Sequence, residues 1–373
     1  MSEPFLHATA SGQSSRELVN NCLHQLGDVR GRYRLGFIYA SDTLCNDLVN
    51  IVGRFRQETG IQDWVGTVGI GLCSTGCEYY DQDALAVMLA DVDDRDFAII
   101  GASDLNEEQL LEQVSSYCKE ELPHVGIIHG DPSNPGTPRL IEKICEVVPA
   151  AYLVGGLTSS NFQNHQVARD VINGSVSGIL FSPQVTTIVG HTQGCTPLDV
   201  QHVITKCDRN ILIELDHRPA LDVLREDIGE VLAKDLQKIS GYIFAGLPIE
   251  HSDTGDYLVR NIIGIDEQEK IIAIGDYLYE GSRFMACRRD GNSAREDMLR
   301  MLGSMKSRMP EHPRGGVYYT CLGRGRYQFG ENSEELKMIR DTLGDFPLVG
   351  FFANGEIFHN RLYGYTGVLT LFT

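Results

Sequence analysis

At 373 residues the chain is too long for one average core, which predicts two domains or one duplicated unit. With 42% hydrophobic and 22% charged residues it has the balance of a globular rather than a disordered protein. A formal net charge of -19 argues against DNA, RNA or anionic lipid as the main partner, because those need a basic surface.

Residues 1–30 read as a helical leader. They have neither the basic n-region nor the apolar run of a secretory signal, so the protein is expected to be cytoplasmic and its ten cysteines reduced. From there one order of events recurs: a short apolar strand, a polar or Gly-rich loop, a helix, a second strand with an apolar–Gly step, a turn and a third strand. The first copy is "RLGFIYASD", "LCNDLVNIVGRFRQETG", "DWVGTVGIGLCSTG" and "ALAVMLA". Its Cys73 and Cys77 form a lone C-x3-C without the second pair a structural zinc needs. The second copy is "HVGIIHGDPSNPG", "TPRLIEKICEVV", "AYLVGGLTSS" and "SVSGILFS", with Pro138 at a first helical position.

"GHTQGCTPL" joins the two halves, and a helix over "RPALDVLREDIGEVLAKDL" follows. "GYIFAGLPIE" with "EKIIAIGDYL" reads as the end of a fourth, incomplete copy, and "SAREDMLRMLGSMKSRM" as another helix. The third full copy is "RGGVYYTCLGRGRYQFG", "NSEELKMIRDTLG", "FPLVGFFANGEI" and "YGYTGVLTLF". In it, Asn332 and Glu335 read as a capping box. Near-continuous apolar strands suit sheets covered on both faces. The class is therefore α/β: two related halves built from repeated strand–helix–strand–strand units, mixed sheets with helices packed on them.

Strand ends followed by glycine loops are where open α/β sheets bind ligands. "CLGRGRYQFG" is the sharpest such loop. Arg324 and Arg326 bring positive charge to a helix N-terminus, a setting for a small anion, but the Walker A and dinucleotide spacings are absent. A nucleophilic thiol at Cys195 or Cys321 would need a lowered pKa. His129, His191, His251 and His359 are scattered, and any one of them could be a lone axial ligand of a haem. No acid–base pair or nucleophile elbow is present, so the residues describe binding loops.

"GRGRYQFG", "LVGFFANGEI", "NRLYGYTGVLTLF", "QGCTPL" and "NILIELDHRPALDVL" resemble the C-terminal FIST domain. "VGTVGIGLCSTG", "LVGGLTSS" and "VSGILFS" resemble the N-terminal one. The resemblance implies a FIST N-terminal domain over 31–191 and a FIST C-terminal domain over 192–373. It also implies a cytoplasmic, non-catalytic sensor of signal transduction that binds an amino acid or small anionic metabolite. The alternatives it leaves open are a haem-binding nitric-oxide sensor that regulates a histidine kinase, and a thiol-dependent enzyme. Carried over position by position, the ligand-facing residues are Gln193, Cys195, Cys321, Arg324, Asn354 and Glu356, with Thr75 and Thr158 from the N-terminal half. An α-amino acid would place its carboxylate on Arg324 and its ammonium on Glu356.

Overall fold

The structure, a computed structural model, describes residues 5–101, 106–120, 122–198, 200–233, 239, 241–249 and 257–373. It forms two compact units, one of residues 1–192 with 298–373 and one of residues 193–297. The spatial division thus differs from halves cut at 191/192: the third repeat folds with the first two.

In the first unit the chain opens with strand β1 (Leu6–Gly12) and helix α1 (Ser15–Leu26), capped by the Ser14 hydroxyl on the Glu17 N–H. The expected helical leader therefore also carries an edge strand. The first repeat follows as β2 (Leu35–Ser41), α2 (Leu48–Thr59), β3 (Asp63–Gly69), the hairpin β4 (Leu72–Ser74) and β5 (Cys77–Tyr79), and β6 (Asp83–Ala90). After β7 (Phe97–Ile100) and α3 (Glu107–Glu120), the second repeat runs through β8 (Val125–Gly130), α4 (Thr137–Val147) and β9 (Tyr152–Leu157). It ends in the hairpin β10 (Gln166–Ala168) and β11 (Asp170–Ile172), and β12 (Val176–Phe181). Strand β13 (Thr187–Gln193) leads to the second unit.

That unit contains β14 (Cys195–Pro197), β15 (His202–Asp208), β16 (Ile211–Leu215), β17 (Arg218–Pro219) and α5 (Ala220–Ala233), with non-helical backbone at Gly229. Strands β18 (Ile243–Pro248), β19 (Tyr257–Asp266), β20 (Ile271–Ile274) and β21 (Arg283–Arg289) complete it. The order β21-β15-β16-β20-β19-β18 closes through a β18–β21 pairing, so six antiparallel strands form a barrel. Closure leaves none of the six as a free edge. Its core includes Ile204, Leu215, Leu224, Ile243, Ile272 and Phe284. The stretch read as a fourth repeat copy is β18 to β20 of this barrel. Buried apolar strands punctuated by glycine look alike in both architectures.

Helix α6 (Gly291–Arg308) leads back to the first unit and the third repeat: β22 (Gly315–Cys321), the short α7 (Arg326–Phe329), α8 (Glu334–Leu343) and β23 (Leu348–Ala353). The hairpin β24 (Glu356–Phe358) and β25 (Arg361–Tyr363), then β26 (Thr366–Phe372), complete it.

Three six-stranded sheets result, with orders β1-β6-β2-β3-β10-β11, β7-β12-β8-β9-β24-β25 and β13-β26-β22-β23-β4-β5. All follow one rule. The first strand of a repeat pairs in parallel with its second and antiparallel with its last. Each hairpin extends the sheet of another repeat: the first repeat's joins the third, the third's joins the second, and the second's joins the first. The exchange is cyclic and closes after three steps.

The apolar–Gly step has a steric cause. A Cβ on Gly66, Gly155 or Gly350 would overlap the carbonyl oxygen of Ile38, Ile128 or Tyr318, the equivalent residue of the parallel neighbour. Only glycine permits that approach. One residue beyond those carbonyls stand Tyr39, His129 and Tyr319, all buried in register. The Tyr39 hydroxyl lies 2.7 Å from that of Tyr319 and 3.2 Å from His129 Nε2. The three equivalent positions thus meet in one polar knot inside an otherwise apolar core.

Candidate functional site

The first unit gathers buried polar groups around the loop after β22. Arg324 is fully buried, where an unpaired guanidinium would be prohibitive. Its Nε and Nη2 donate to Glu335 Oε1 at 2.8 and 2.7 Å. The same oxygen accepts from the Tyr318 and Thr320 hydroxyls at 2.6 and 3.2 Å, while Oε2 accepts the Gly325 N–H at 2.8 Å. Burial works against the Arg324 charge, and Glu335 more than offsets it. Glu335 is therefore the counter-ion of Arg324 and not half of a capping box. Asn332 and Ser333 take positive φ, and no Ser333 side-chain bond caps α8. Glu78, reaching over from the first repeat's hairpin, donates its N–H to the Ser333 hydroxyl at 2.8 Å, and its Oε2 accepts from the Tyr80 hydroxyl at 2.9 Å.

Glu356 opens β24, and its backbone pairs with Gly156 on one side and Tyr363 on the other. Its carboxyl is fully buried, and Oε2 accepts from the Thr366 N–H at 3.1 Å and the Thr366 hydroxyl at 2.7 Å. Burial pushes it up to about 8, although Thr366 and the Arg324 charge act to lower it. Three polar atoms of this cluster, Arg324 Nη1, Glu356 Oε1 and Glu78 Oε1, are buried without a hydrogen-bond partner. Buried groups are almost always satisfied, so such atoms point to something missing from the protein's own bonding.

Of the residues named from sequence, Cys321, Arg324 and Glu356 come together. Cys321 is half-buried at the end of β22, and burial followed by the Glu356 charge pushes its thiol up, with Arg324 acting the other way. It is held as a thiol, the wrong state for a nucleophile. Asn354 is exposed at the rim, with its N–H bonded to Leu157 O. Thr158 follows Leu157, but its hydroxyl is buried against Thr67 at 2.7 Å. Thr75, in the turn of the β4–β5 hairpin, bonds the start of β23, accepting from the Leu348 N–H and donating to Phe346 O. Gln193 and Cys195 belong to the barrel unit. There the Gln193 N–H donates to Asp297, its amide to Tyr257 O, and Tyr257 donates to Cys195 O.

The histidines do not form a haem pocket around His129. Its ring is fully buried with Tyr39, Tyr319 and Phe351 centroids at 5.6, 5.9 and 6.0 Å, which leaves no face for a porphyrin. His191 stacks on Phe358 at 4.4 Å, and His359 is an exposed turn residue beside Tyr152. His251 lies outside the described residues. Among the described residues no group of three or more His, Cys, Asp or Glu side chains could hold a metal ion.

Sequence reasoning missed Glu335, Thr366 and Glu78 as members of this cluster. Glu335 had a local signal, three residues after Asn332, that suggested another role. Thr366 and Glu78 act through pairings between distant segments.

No helix among the described residues is long and apolar enough to cross a membrane. The FIST N domain matches residues 34–218 and the FIST C domain residues 220–359. An uncharacterized protein of Mycobacterium tuberculosis is 28% identical over 360 residues, 92% of each chain. An uncharacterized protein of Mycobacterium bovis is 29% identical over 249 residues, 62% of this chain and 63% of its own. Among solved structures, T. maritima PurL complexed with ADP aligns over 98% of this chain and 71% of its own at 10% identity. Its TM-score of 0.23 is too low to carry an argument. With both domain matches in order along nearly the whole chain, the protein belongs to the FIST family, whose domains are sensor domains of signal transduction.

Proposed function

We propose that this FIST protein senses a small polar metabolite, best an α-amino acid, and passes its bound state to a separate signalling partner without doing chemistry on it. The observation that carries this reading is the pair of buried, unpartnered atoms, Arg324 Nη1 and Glu356 Oε1. The guanidinium offers a donor to a carboxylate. Glu356 Oε1, once the carboxyl gives up its proton, offers an acceptor to an ammonium, since its other oxygen is already taken by Thr366. A zwitterion supplies both partners at once.

Both side chains are fully buried, and Gly323 of the loop after β22 lies against the Tyr365 ring that precedes β26. A ligand enters only if these loops part, which makes occupancy a conformational event, and a ligand shifts such an equilibrium by its differential affinity for the two states. A thiol enzyme is disfavoured because Cys321 is held protonated.

The test is a thermal-shift screen of amino acids and small carboxylates, followed by calorimetry on any that raise Tm. Glu356→Gln is expected to weaken amine-bearing ligands at least about tenfold, the scale of a lost charged hydrogen bond of ~1.5–3 kcal/mol. A screen without a stabilising compound, or an affinity untouched by Glu356→Gln, would reject the reading.

A further inference from the structure

The barrel unit carries a second buried titratable arrangement, unrelated to the loop after β22. His202, the first residue of β15, is almost fully buried between two carboxylates. Its Nδ1 lies 2.6 Å from Asp216 Oδ2, and its Nε2 lies 3.0 and 3.2 Å from Asp227 Oδ2 and Oδ1. Asp216 sits in the turn after β16 at φ 50°, and its other oxygen accepts the Val203 N–H at 2.9 Å, so it is fixed on β15. Asp227 projects from α5 with only 7% of its side chain exposed.

We infer that His202 is a pH-sensitive clamp that holds α5 on the barrel while both of its ring nitrogens carry protons. An ionised carboxylate only accepts hydrogen bonds, so a carboxylate against each nitrogen requires both to be donors. A neutral ring turns one lone pair towards an anion, and the link on that side becomes repulsive.

The charged groups around the ring are mostly acidic, and the acidic ones favour the protonated state. The turn after β16 contributes Asp216 and His217, β17 contributes Arg218, and α5 contributes Asp222, Glu226 and Asp227. Arg218 is engaged by Glu226, and Asp222 by Lys270 at the start of β20. On β21 the residues opposite His202 and Val203 are Phe284 and Arg283. Burial acts to lower the proton affinity of His202, and the hydrogen bonds to Asp216 and Asp227 more than reverse it, so the ring titrates above its ordinary 6.5. The sign follows: docking of α5 is fully supported below pH 6.5 and is lost as pH rises through the raised value.

The experiment uses the full chain with 15N-labelled histidine, following ring nitrogens by NMR from pH 6 to pH 9. In parallel, amide exchange in α5 is measured and corrected for intrinsic rates. The expected result is a doubly protonated His202 at pH 7, with α5 protection falling by up to about tenfold per pH unit as pH rises from 6.5 to its midpoint, the ceiling for one proton. Asp216→Asn, at a half-exposed carboxylate, should lower both midpoints together. His202→Gln should leave α5 weakly protected at every pH. Should that variant fail to fold, the wild-type and Asp216→Asn titrations decide alone. A singly protonated ring at pH 7, or α5 protection that does not follow the His202 titration, overturns the inference.

Discussion

Arg324 and Glu335 are both sealed from solvent and joined through a single carboxylate oxygen, with Nε at 2.8 Å and Nη2 at 2.7 Å. The pair ties the loop after β22 to the first turn of α8, and the Arg324 guanidinium also lies 4.9 Å from the Phe329 ring centroid. Removing either partner strands the other charge in a dry site. Arg324→Met or Glu335→Gln alone is therefore expected to cost ~3–5 kcal/mol in urea unfolding. An apolar replacement of both partners should recover only the charge part of it, because the Tyr318 and Thr320 hydroxyls and the Gly325 N–H lose their acceptor with Glu335. Because the pair is out of reach of mobile ions, the loss should hardly change with added salt.

The strand–helix order of this fold was legible because it is local: each repeat shows its strands, its helix and its apolar–Gly step within one stretch of chain. What pairs with each hairpin was not. A two-strand hairpin such as Leu72 to Tyr79 has the same local pattern whether it joins its own sheet or another repeat's, and here Leu72 pairs with Phe351. The barrel was hidden for a related reason, since "GYIFAGLPIE" is a buried strand ending on glycine in either setting. At the candidate site, Arg324 and Glu356 were readable as polar groups at strand-end loops. Glu335 was misassigned because its spacing from Asn332 matched a cap, while its true partner lies eleven residues upstream.

The shared glycine step predicts unequal effects for chemically identical substitutions. Gly155→Ala would drive a methyl into the Ile128 carbonyl within a parallel strand pair, and backbone cannot retreat as a flexible side chain can. A loss of ~1–3 kcal/mol or more is expected, as for overpacking elsewhere. Gly53, on an exposed stretch of α2 with nothing near its Cβ position, should behave oppositely: Gly53→Ala should stabilise by ~0.5–1 kcal/mol. Equal Tm shifts for the two variants would contradict the steric account.

Within the knot of equivalent residues, Tyr39 occupies the middle. Its hydroxyl faces both Tyr319 and His129, so Tyr39→Phe leaves two buried polar atoms unpaired. Tyr319→Phe leaves the Tyr39–His129 contact in place. Each stranded atom costs ~1–3 kcal/mol, so Tyr39→Phe should be clearly the more damaging of the two in denaturant melts.

The pH profile of the first unit is set by groups whose burial acts in opposite directions. Glu356 is pushed up to about 8 and Glu78 to about 7, both above an ordinary 4.5, so the fold prefers them protonated. The stability they contribute is complete below pH 4.5 and disappears as pH rises through their folded values. His129 is pushed down by burial to about 3 from 6.5, so its contribution is present above pH 6.5 and is lost as pH falls. Between pH 4.5 and 6.5 the slopes oppose each other, and above 6.5 the carboxyls alone act. Each group can contribute at most ~1.4 kcal/mol per pH unit. In the wild type, unfolding free energy should therefore fall from pH 6.5 to about 8. Glu356→Gln should lessen that fall between pH 6.5 and 7, where Glu78 also acts, and remove the part beyond the Glu78 value near 7. A wild-type profile that is flat or rising over this range would show that Glu356 is ionised in the folded chain, and an ammonium ligand would then find its acceptor already formed.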